Sequence, residues 1–369
     1  MKKIVIIVAL VCGAWQQADA QYVSKVWVSD QKDGTYINPI IHADYSDPDV
    51  CAVGDDFYMT ASSFGCTPGL PILHSKDLVN WRLANYALKE IEPTIFFNAP
   101  QHGKGVWAPS IRYHNGEFFI YWGDPDWGIF MVKTKDPLGE WEKPVLVKAG
   151  KGMIDPTPLW DEDGKVYLVH AWAGSRAAFN SVITVCEMNA EGTKVISEPV
   201  LVFDGNDGVN HTIEGPKFYK RNGYYYILAP AGGVVTGWQL ALRSRNENDW
   251  PVIGEDKDGD GCGEPVKRYK KPDVGRIYPI ETPIESDEFN TRQLGLQWEW
   301  HANYQDTFGF TSDLGYIRIY GHILSKDFVN FWEVPNLLLQ KFPAEEFTAT
   351  AKLKVSAKAD GQQSGAMVS

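Results

Sequence analysis

The sequence predicts an all-β protein, a β-propeller with four recognisable blades followed by a partial β-sandwich. A pattern of a proline, an apolar run, a tight turn and a second aromatic or β-branched run occurs four times. Long amphipathic helical periods are scarce. The copies begin at Ser46, Trp107, Ile154 and Ile213, and this spacing is typical of propeller blades.

The N-terminus has the features of a secretory signal peptide. Two lysines precede an apolar run from Ile4 to Val11, and Ala18-Asp19-Ala20 forms a small-residue cleavage site. We therefore expect residues 1–20 to be removed and the mature protein to be exported, either to the periplasm or outside the cell. Cys12 leaves a lipoprotein alternative open, although the residue before it is bulkier than such processing prefers. No later segment is apolar for about 18 residues, so we expect no membrane span.

Composition narrows the possible partners. The chain has 369 residues, 44% of them hydrophobic and 13% aromatic, with a formal net charge of -12. The negative charge argues against nucleic acid or an anionic membrane surface as a partner and is compatible with a neutral ligand. Aromatic side chains in such numbers suit stacking on sugar rings, although packing alone could use them. The sequence leaves the oligomeric state open.

The cysteines do not indicate a metal site. No C-x-x-C motif occurs, and no His/Cys cluster has the spacing of a zinc site. An exported chain permits disulfides, while small buried thiols are the alternative that we favour. Four cysteines follow the signal peptide: Cys51, Cys66, Cys186 and Cys262.

Each copy of the repeat carries a turn signal between its two runs. Asn-Gly and Asp-Gly favour two-residue type I′ hairpins, because both central residues of that turn have positive φ. The turns are predicted at Gly54-Asp55, Asn115-Gly116, Asp163-Gly164 and Asn222-Gly223.

An acid stands beside the proline in three of the four copies. The residues at this position are Asp47, Ala108, Asp155 and Glu214. In a propeller the first strand of each blade lines the channel, so these side chains should share one mouth. A single Asp-Pro is weak evidence of a site, because aspartate often begins turns. Three acids in one repeat register are harder to explain by turns alone.

Carboxylates placed together at a mouth suit the hydrolysis of glycosidic bonds. One carboxyl must be protonated to give its proton to the leaving oxygen, and another must be ionised to activate water or attack the sugar. A third acid can raise the pKa of the proton donor and orient it. Metal binding by the three acids and purely structural turn carboxylates remain alternatives. The Asp-Thr/Ser-Gly signature of aspartic proteases is not apparent.

Several of these segments together resemble glycoside hydrolase family 43. The segments are "NPIIHADYSDPDVCAVGDDFYMTASSFG", "GVWAPSIRYHNGEFFIYW", "MIDPTPLWDEDGKVYLVHAW" and "TIEGPKFYKRNGYYYILAPAGG", within Asn38 to Arg245. The resemblance implies a five-bladed propeller that hydrolyses with inversion. It assigns Asp47 as general base, Asp155 as the acid that modulates pKa and orientation, and Glu214 as general acid. Inversion places the carboxyls of the base and the acid roughly 6.5–9.5 Å apart.

The resemblance also suggests aromatic walls for a sugar pocket. Phe64 and Trp107 are the main candidates and Trp172 is a weaker one, with packing inside the blades as the alternative. His211 lies three residues before Glu214 and is either a pocket residue or a surface loop residue.

The chain departs from the family pattern after Arg245. A further hairpin motif is expected there, and we infer that about one blade, on the order of 40–60 residues, is absent. The segment "DKDGDG", Asp256 to Gly261, resembles the start of a calcium loop, but its twelfth position is Lys267 instead of glutamate. We expect no cofactor, with calcium at this loop as the alternative to a solvated acidic loop.

We divide the mature chain into a catalytic propeller, residues 21–285, and a C-terminal β-sandwich, residues 286–369. Strands are predicted at "IRIYG", "FTATAKLKV" and "SGAMVS", which alternate in polarity. The sandwich resembles one that packs on the propeller of some family members and contributes to the pocket rim. Because those sandwiches are longer, we expect this one to be incomplete.

The function predicted from the sequence is that of an exported, inverting exo-glycosidase. It would remove terminal xylosyl or arabinofuranosyl residues from plant cell-wall polysaccharides, and the motifs do not decide between the two sugars. The alternative is an inactive carbohydrate-binding relic of such an enzyme, because a lost blade could damage the pocket.

Overall fold

The structure is a computed structural model that describes residues 21–233, 237–243, 266–324 and 326–368. The described residues do not include the predicted signal peptide, residues 246–250, where a further blade was expected, or the acidic segment 256–261. In the part of the chain that is described, no helix is both long and apolar enough to span a membrane.

The described chain is built mainly of antiparallel sheets, as predicted. Four of these sheets are blades in which each strand pairs with the next strand along the chain. A short strand, β1 (Thr35–Ile37), precedes them. The blades are β2 (Asp49–Val53), β3 (Asp56–Thr60), β4 (Gly69–Ser75) and β5 (Trp81–Leu88); β6 (Trp107–His114), β7 (Glu117–Asp124), β8 (Gly128–Thr134) and β9 (Val145–Ala149); β10 (Met153–Trp160), β11 (Val166–Trp172), β12 (Val182–Met188) and β13 (Val200–Asp204); and β14 (Lys217–Arg221), β15 (Tyr224–Ala231) and β16 (Trp238–Arg243).

The first strands of the blades lie side by side around one axis, in the order β2, β6, β10 and β14. Two helices of one turn each, α1 (Thr94–Phe97) and α2 (Gly174–Ala177), lie in connections between strands. The described part of the chain is therefore a four-bladed propeller arrangement, and the fourth blade contributes three described strands.

Alternating side chains in the blades fill the spaces on both faces of each sheet. On β7, Phe118, Ile120 and Trp122 belong to the core shared with blade 1. Phe119 and Tyr121 point the other way, into the core shared with blade 3. This period of two is what a strand buried on both faces requires. It explains why the second run of the repeat in blade 2, Glu117–Asp124, has apolar residues at consecutive positions.

The predicted turns are confirmed in full for blades 2 and 4. Asn115 and Gly116 have φ values of 48° and 84°, and Asn222 and Gly223 have values of 51° and 77°. These are the two positive φ angles of a type I′ turn. In blade 1 the hairpin also has two residues between its strands, but only Gly54 has positive φ, at 61°.

The prediction of a two-residue turn at Asp163-Gly164 is wrong. The strands of blade 3 are joined by a five-residue loop, Asp161 to Lys165, in which the N–H of Asp161 donates to the carbonyl of Lys165. The carboxylate of Asp161 accepts hydrogen bonds from Lys220 and Tyr225 of blade 4. The loop thus combines local hydrogen bonds with a contact to the next blade, and a local turn rule does not include such a contact.

The C-terminal region is only partly sheet in the described residues. Strand β17 (Arg268–Lys270) pairs with β1 and so joins the end of the propeller region to its beginning. The remaining strands form two small pairs. They are β18 (Glu299–Trp300), β19 (Gly309–Thr311), β20 (Ile317–Ile319) and β21 (Leu338–Leu339), with β18 beside β21 and β19 beside β20.

The strand predicted within "IRIYG" is confirmed as β20, whereas those predicted in "FTATAKLKV" and "SGAMVS" are wrong. In the described residues 347–368 the chain forms no strand and nearly every residue is exposed. A strand needs a neighbour for its backbone N–H and C=O groups. The residues of this segment alternate in polarity, but none of the described sheets includes them.

The C-terminal region packs on blade 1. The backbones of Thr67 and Trp300 exchange hydrogen bonds of 2.9 and 2.6 Å. The amide side chain of Asn303 bonds to both the N–H and the carbonyl of Ile91. Tyr86 donates a 3.1 Å hydrogen bond to the buried carboxylate of Glu299. These bonds join the two regions close to the segment that carries Phe64.

Candidate active site

The backbone before the proline has the same unusual conformation in all four blades. The φ angles are 51° at Asp47, 31° at Ala108, 56° at Asp155 and 61° at Gly215. Residues before proline normally adopt an extended conformation, and positive φ costs free energy for residues other than glycine. The equivalent residue in blade 4 is therefore Gly215, and placing Glu214 at that position from the sequence is wrong by one residue. Glu214 reaches the mouth from the preceding position.

Asp47 is exposed at the start of blade 1 and is held by a buried serine. The Oγ of Ser62 donates a 2.7 Å hydrogen bond to Oδ2 of Asp47. The same Oγ accepts a 2.8 Å hydrogen bond from the N–H of Ala108. One hydroxyl thus connects the acid of blade 1 to the equivalent position of blade 2.

Asp155 is the buried member of the group, with 5% of its surface exposed. Burial raises the pKa of Asp155 to about 7, and the negative charges of Glu214 and Asp47 act in the same direction. The N–H of Gly215 donates a 2.7 Å hydrogen bond to Oδ2 of Asp155 and opposes this rise, as does the charge of Lys217. A carboxyl group in these surroundings changes its charge near neutral pH.

Glu214 is accessible to solvent, and its backbone N–H donates a 3.2 Å hydrogen bond to the carbonyl of Pro230. Packing around the carboxyl group raises the pKa of Glu214, and the charge of Asp47 adds to the effect. The three acids therefore act on one another electrostatically. Two of them, Asp47 and Glu214, are open to a ligand, and Asp155 lies beneath the surface.

A second ring of residues, which the sequence analysis missed, follows the prolines. The hydroxyl of Ser110 donates a 2.6 Å hydrogen bond to the carbonyl of Pro156. The hydroxyl of Thr157 donates a 2.8 Å hydrogen bond to the carbonyl of Pro216. Each bond joins a blade to the next one at the base of the mouth. The sequence contains a signal for these residues, because each of them stands one residue after the proline of its repeat.

The aromatic candidates have different surroundings. Phe64 is half-buried with φ of 50°, and its N–H donates to the carbonyl of Val106. It belongs to none of the hydrophobic cores formed by the described residues. The indole N–H of Trp107 donates a 2.7 Å hydrogen bond to the carbonyl of Gly103, and its ring packs partly against the core between blades 3 and 4. Both rings lie on the segments that flank the mouth.

Trp172 and His211 are less closely tied to the acids. The indole N–H of Trp172 donates to Thr184 within blade 3, and the ring packs against the core between blades 2 and 3. These contacts favour the packing alternative for Trp172. His211 is exposed, and its ring centroid lies 6.1 Å from that of Trp238.

The described residues were also compared with the ligand sets that metal ions require. Within the described ranges, no group of three or more His, Cys, Asp or Glu side chains is placed to hold a metal ion. The thiols of Cys51, Cys66 and Cys186 are free, Cys186 is buried and the other two are half-buried. Cys262 and the acidic segment considered for calcium lie outside the described residues.

Comparisons with known sequences agree with this architecture. Residues 36–253 match the family described as "Glycosyl hydrolases family 43", and residues 286–369 match "Beta xylosidase C-terminal Concanavalin A-like domain". A protein of Formosa agariphila named "Beta-xylosidase" is 30% identical over 440 residues, covering 91% of this chain and 73% of the relative. A "Non-reducing end alpha-L-arabinofuranosidase" of Bacteroides ovatus is 27% identical over 411 residues, covering 90% and 73%. Both alignments are longer than this chain, so these relatives contain segments that it lacks.

Solved structures show the same fold. "Bacteroides ovatus Xyloglucan PUL GH43B" superposes with a TM-score of 0.68 at 25% identity, covering 84% of this chain and 72% of that chain. A family 43 enzyme retrieved from a capybara gut metagenome gives a TM-score of 0.69 at 22% identity, covering 84% and 71%. With the family match over more than half of the chain, the conclusion is plain: this protein is a glycoside hydrolase and belongs to glycosyl hydrolase family 43.

Proposed function

We propose that the protein is an exported, inverting exo-glycosidase that releases terminal xylosyl or arabinofuranosyl residues from plant cell-wall polysaccharides. The observation that carries the proposal is the grouping of the acids. Asp47 and Glu214 are accessible at the mouth, and Asp155 is buried where their charges reach it. The relatives named as xylosidases and arabinofuranosidases support this pair of sugars.

The proposed roles follow from accessibility and charge. Asp47 accepts a proton from water while the water oxygen attacks the anomeric carbon. Glu214 donates its proton to the leaving oxygen as the glycosidic bond breaks. A raised pKa keeps Glu214 protonated closer to neutral pH, which the general acid needs. Asp155 orients the acid through its bond to Gly215, which adjoins Glu214.

Inversion is part of the proposal, and it is tested by the anomer that forms first. Proton NMR of a reaction in progress should show that the first sugar released has the anomeric configuration opposite to that of the substrate. Release with the same configuration would contradict the assignment of Asp47 as a base acting through water.

The substrate class is tested by comparing nitrophenyl β-D-xyloside with nitrophenyl α-L-arabinofuranoside, followed by xylan and arabinan oligosaccharides. Release of single sugars from one chain end supports exo-action. Release of oligosaccharides from the chain interior contradicts it. Sugar binding by calorimetry without turnover of any of these substrates would favour the carbohydrate-binding relic.

Export is supported by the first twenty residues of the sequence. Expression in a bacterial host should yield a protein outside the cytoplasm whose N-terminus, determined by mass spectrometry, is Gln21. A cytoplasmic protein that retains Met1 would contradict this part of the proposal, and a lipidated Cys12 would establish the lipoprotein alternative.

A further inference from the structure

Lys217 is the first residue of β14 and directly follows Pro216. In the repeat register it corresponds to Asp49, Ser110 and Thr157, the residues that follow the prolines of the other blades. It also lies three residues after Glu214, on the same stretch of backbone. Its position therefore links the ring beneath the mouth to the proposed general acid.

The ammonium group of Lys217 reaches two other blades. Its Nζ donates a 3.3 Å hydrogen bond to the carbonyl of Pro109 in blade 2. It also lies 3.7 Å from Oδ1 of Asp49 in blade 1. By comparison, the hydroxyls of Ser110 and Thr157 each donate to the proline carbonyl of the next blade among the described residues. Lys217 thus connects blade 4 to two blades other than the one before it, and its contact with Asp49 involves a second residue of the ring.

The partner of Lys217 is itself held rigidly. Asp49 is 6% exposed, and its Oδ2 accepts hydrogen bonds of 2.9 Å from the N–H of Ile111 and 2.5 Å from Nη1 of Arg112. This leaves Oδ1 facing Lys217. A carboxylate placed between two cations with a backbone donor is a fixed anchor for the end of the lysine side chain.

The charges around Lys217 include two of the proposed catalytic acids. Burial lowers the pKa of Lys217, and the nearby Arg112 acts in the same direction. The negative charges of Asp49, Asp155 and Asp47 oppose this and favour the charged ammonium. The ammonium in turn favours the ionised form of Asp155.

We propose that Lys217 is a positioning residue of the active site: its ammonium group ties blade 4 to blades 1 and 2 across the channel and so holds Glu214 in place relative to Asp47. The inference rests on the proposed function, because it concerns the geometry of the same acids. The chemistry remains with Asp47 and Glu214. Lys217 acts through the backbone of blade 4 and through its charge.

The test compares Lys217→Met, which keeps most of the length of the side chain and removes the charge, with Lys217→Gln, which keeps an N–H group that can donate to the carbonyl of Pro109. Lys217→Arg restores the charge. Lys220→Met is the matched control, because Lys220 lies on the same strand and pairs with Asp161 instead of the acids of the mouth. kcat and KM are measured separately on nitrophenyl and alkyl glycosides, and thermal unfolding is recorded for each variant.

We expect Lys217→Met to lower kcat by roughly 10²-fold with little change in KM, because displacement of a catalytic group by about 1 Å has an effect of this size. The loss should be larger on alkyl than on nitrophenyl glycosides, since Glu214 serves only leaving groups that need a proton. Lys217→Arg should recover part of kcat, and Lys220→Met should keep it. Equal kcat in the Met and wild-type proteins, or equal losses in Lys217→Met and Lys220→Met, would overturn the proposal.

A second measurement needs no activity. The carboxyl of Asp155, assigned by comparison with Asp155→Asn, is followed by carbon NMR as a function of pH. In Lys217→Met and Lys217→Gln it should titrate at higher pH than in the wild-type protein, because the ionised form loses the ammonium. Glu214, Asp47 and the N–H of Gly215 act on Asp155 in all variants.

These two measurements separate the possible failures. If the wild-type protein hydrolyses none of the glycosides, the proposed function fails, and the titration alone decides whether Lys217 is coupled to the acids. If the wild-type protein is active and the titration of Asp155 is unmoved, the positioning role of Lys217 is wrong while the function stands. If Lys217→Met does not fold, Lys217→Gln supplies both measurements.

Discussion

The backbone N–H of Gly215 donates a 2.7 Å hydrogen bond to Oδ2 of Asp155. This bond joins the equivalent positions of blades 3 and 4, and it places the buried acid next to the residue that follows Glu214. Gly215 has a φ of 61°, a backbone conformation that residues other than glycine adopt only at a cost in free energy. The bond explains how a buried acid can influence the proposed general acid.

The first prediction concerns Asp47 and Glu214. Replacing Asp47 with Ala should nearly abolish turnover of every glycoside, because water loses its base whatever the leaving group is. Replacing Glu214 with Ala should spare nitrophenyl glycosides more than alkyl glycosides. kcat/KM for the two substrate types measures the difference. Equal losses on both types in Glu214→Ala would remove Glu214 from the role of general acid.

The second prediction concerns the charge of Asp155. Asn in place of Asp155 keeps an oxygen that accepts the N–H of Gly215 but removes the negative charge. Above the pKa of Asp155, about 7, that charge favours the protonated form of Glu214 in the wild-type protein. The part of the alkaline limb of kcat/KM that lies above about pH 7, where activity falls as Glu214 loses its proton, should therefore move to lower pH in Asp155→Asn.

The rate at the optimum should also fall in Asp155→Asn, because an amide holds the N–H of Gly215 less firmly than a carboxylate does. If Asp155 only caps a turn before Pro156, asparagine should serve equally well. In that case, an unmoved alkaline limb together with a near-normal rate would exclude Asp155 from the site.

The third prediction concerns Ser62, which is 2% exposed and bonds to both Asp47 and Ala108. Ser62→Ala leaves the N–H of Ala108 without its partner, and this should lower the free energy of unfolding by about 1–3 kcal/mol. It also frees the carboxylate of Asp47, so kcat should fall by about tenfold or more. Denaturant unfolding and steady-state kinetics measure the two effects.

Ser63→Ala is the control for Ser62→Ala. Ser63 is also buried, and its hydroxyl accepts a backbone hydrogen bond, from Leu70 rather than from the residues at the mouth. Ser63→Ala should lower the free energy of unfolding, but it should lower kcat less than Ser62→Ala does. The role given to Ser62 would be wrong if both variants lost kcat equally.

The fourth prediction concerns Gly123, which pairs with Trp107 across blade 2. A Cβ at Gly123 would lie 2.8 Å from Cα of Ile154 and 2.9 Å from the carbonyl oxygen of Met153. These atoms belong to the strand that carries Asp155, so Gly123→Ala should displace that strand. We expect a loss of about 1–3 kcal/mol in the free energy of unfolding from overpacking, together with a fall in kcat of roughly 10²-fold.

Gly321→Ala is the matched control, because a Cβ at Gly321 meets no atom within 4 Å. It should leave both stability and kcat close to those of the wild-type protein. A Gly123→Ala protein with normal kcat would show that the strand tolerates the added methyl group without moving Asp155.

Much of the fold could be predicted because its signals are local. The Asn-Gly dipeptides at 115–116 and 222–223 require positive φ, and they form the expected turns. The alternation along β7 follows from burial on both faces. Prediction failed where distant partners are involved: the loop that begins at Asp161 bonds to Lys220 and Tyr225 of another blade, and "FTATAKLKV" belongs to none of the described sheets.

The sequence by itself determined the blades, the family resemblance and the three acids, because a repeated register brings repeated residues to one place. Only the tertiary structure decided how those acids differ. It buried Asp155, left Asp47 and Glu214 accessible, and showed that Gly215, not Glu214, shares the conformation of Asp47. It also placed Lys217 against Pro109 and Asp49. Burial, backbone strain and charge coupling arise between segments that lie far apart along the chain, so they are set when the blades pack together.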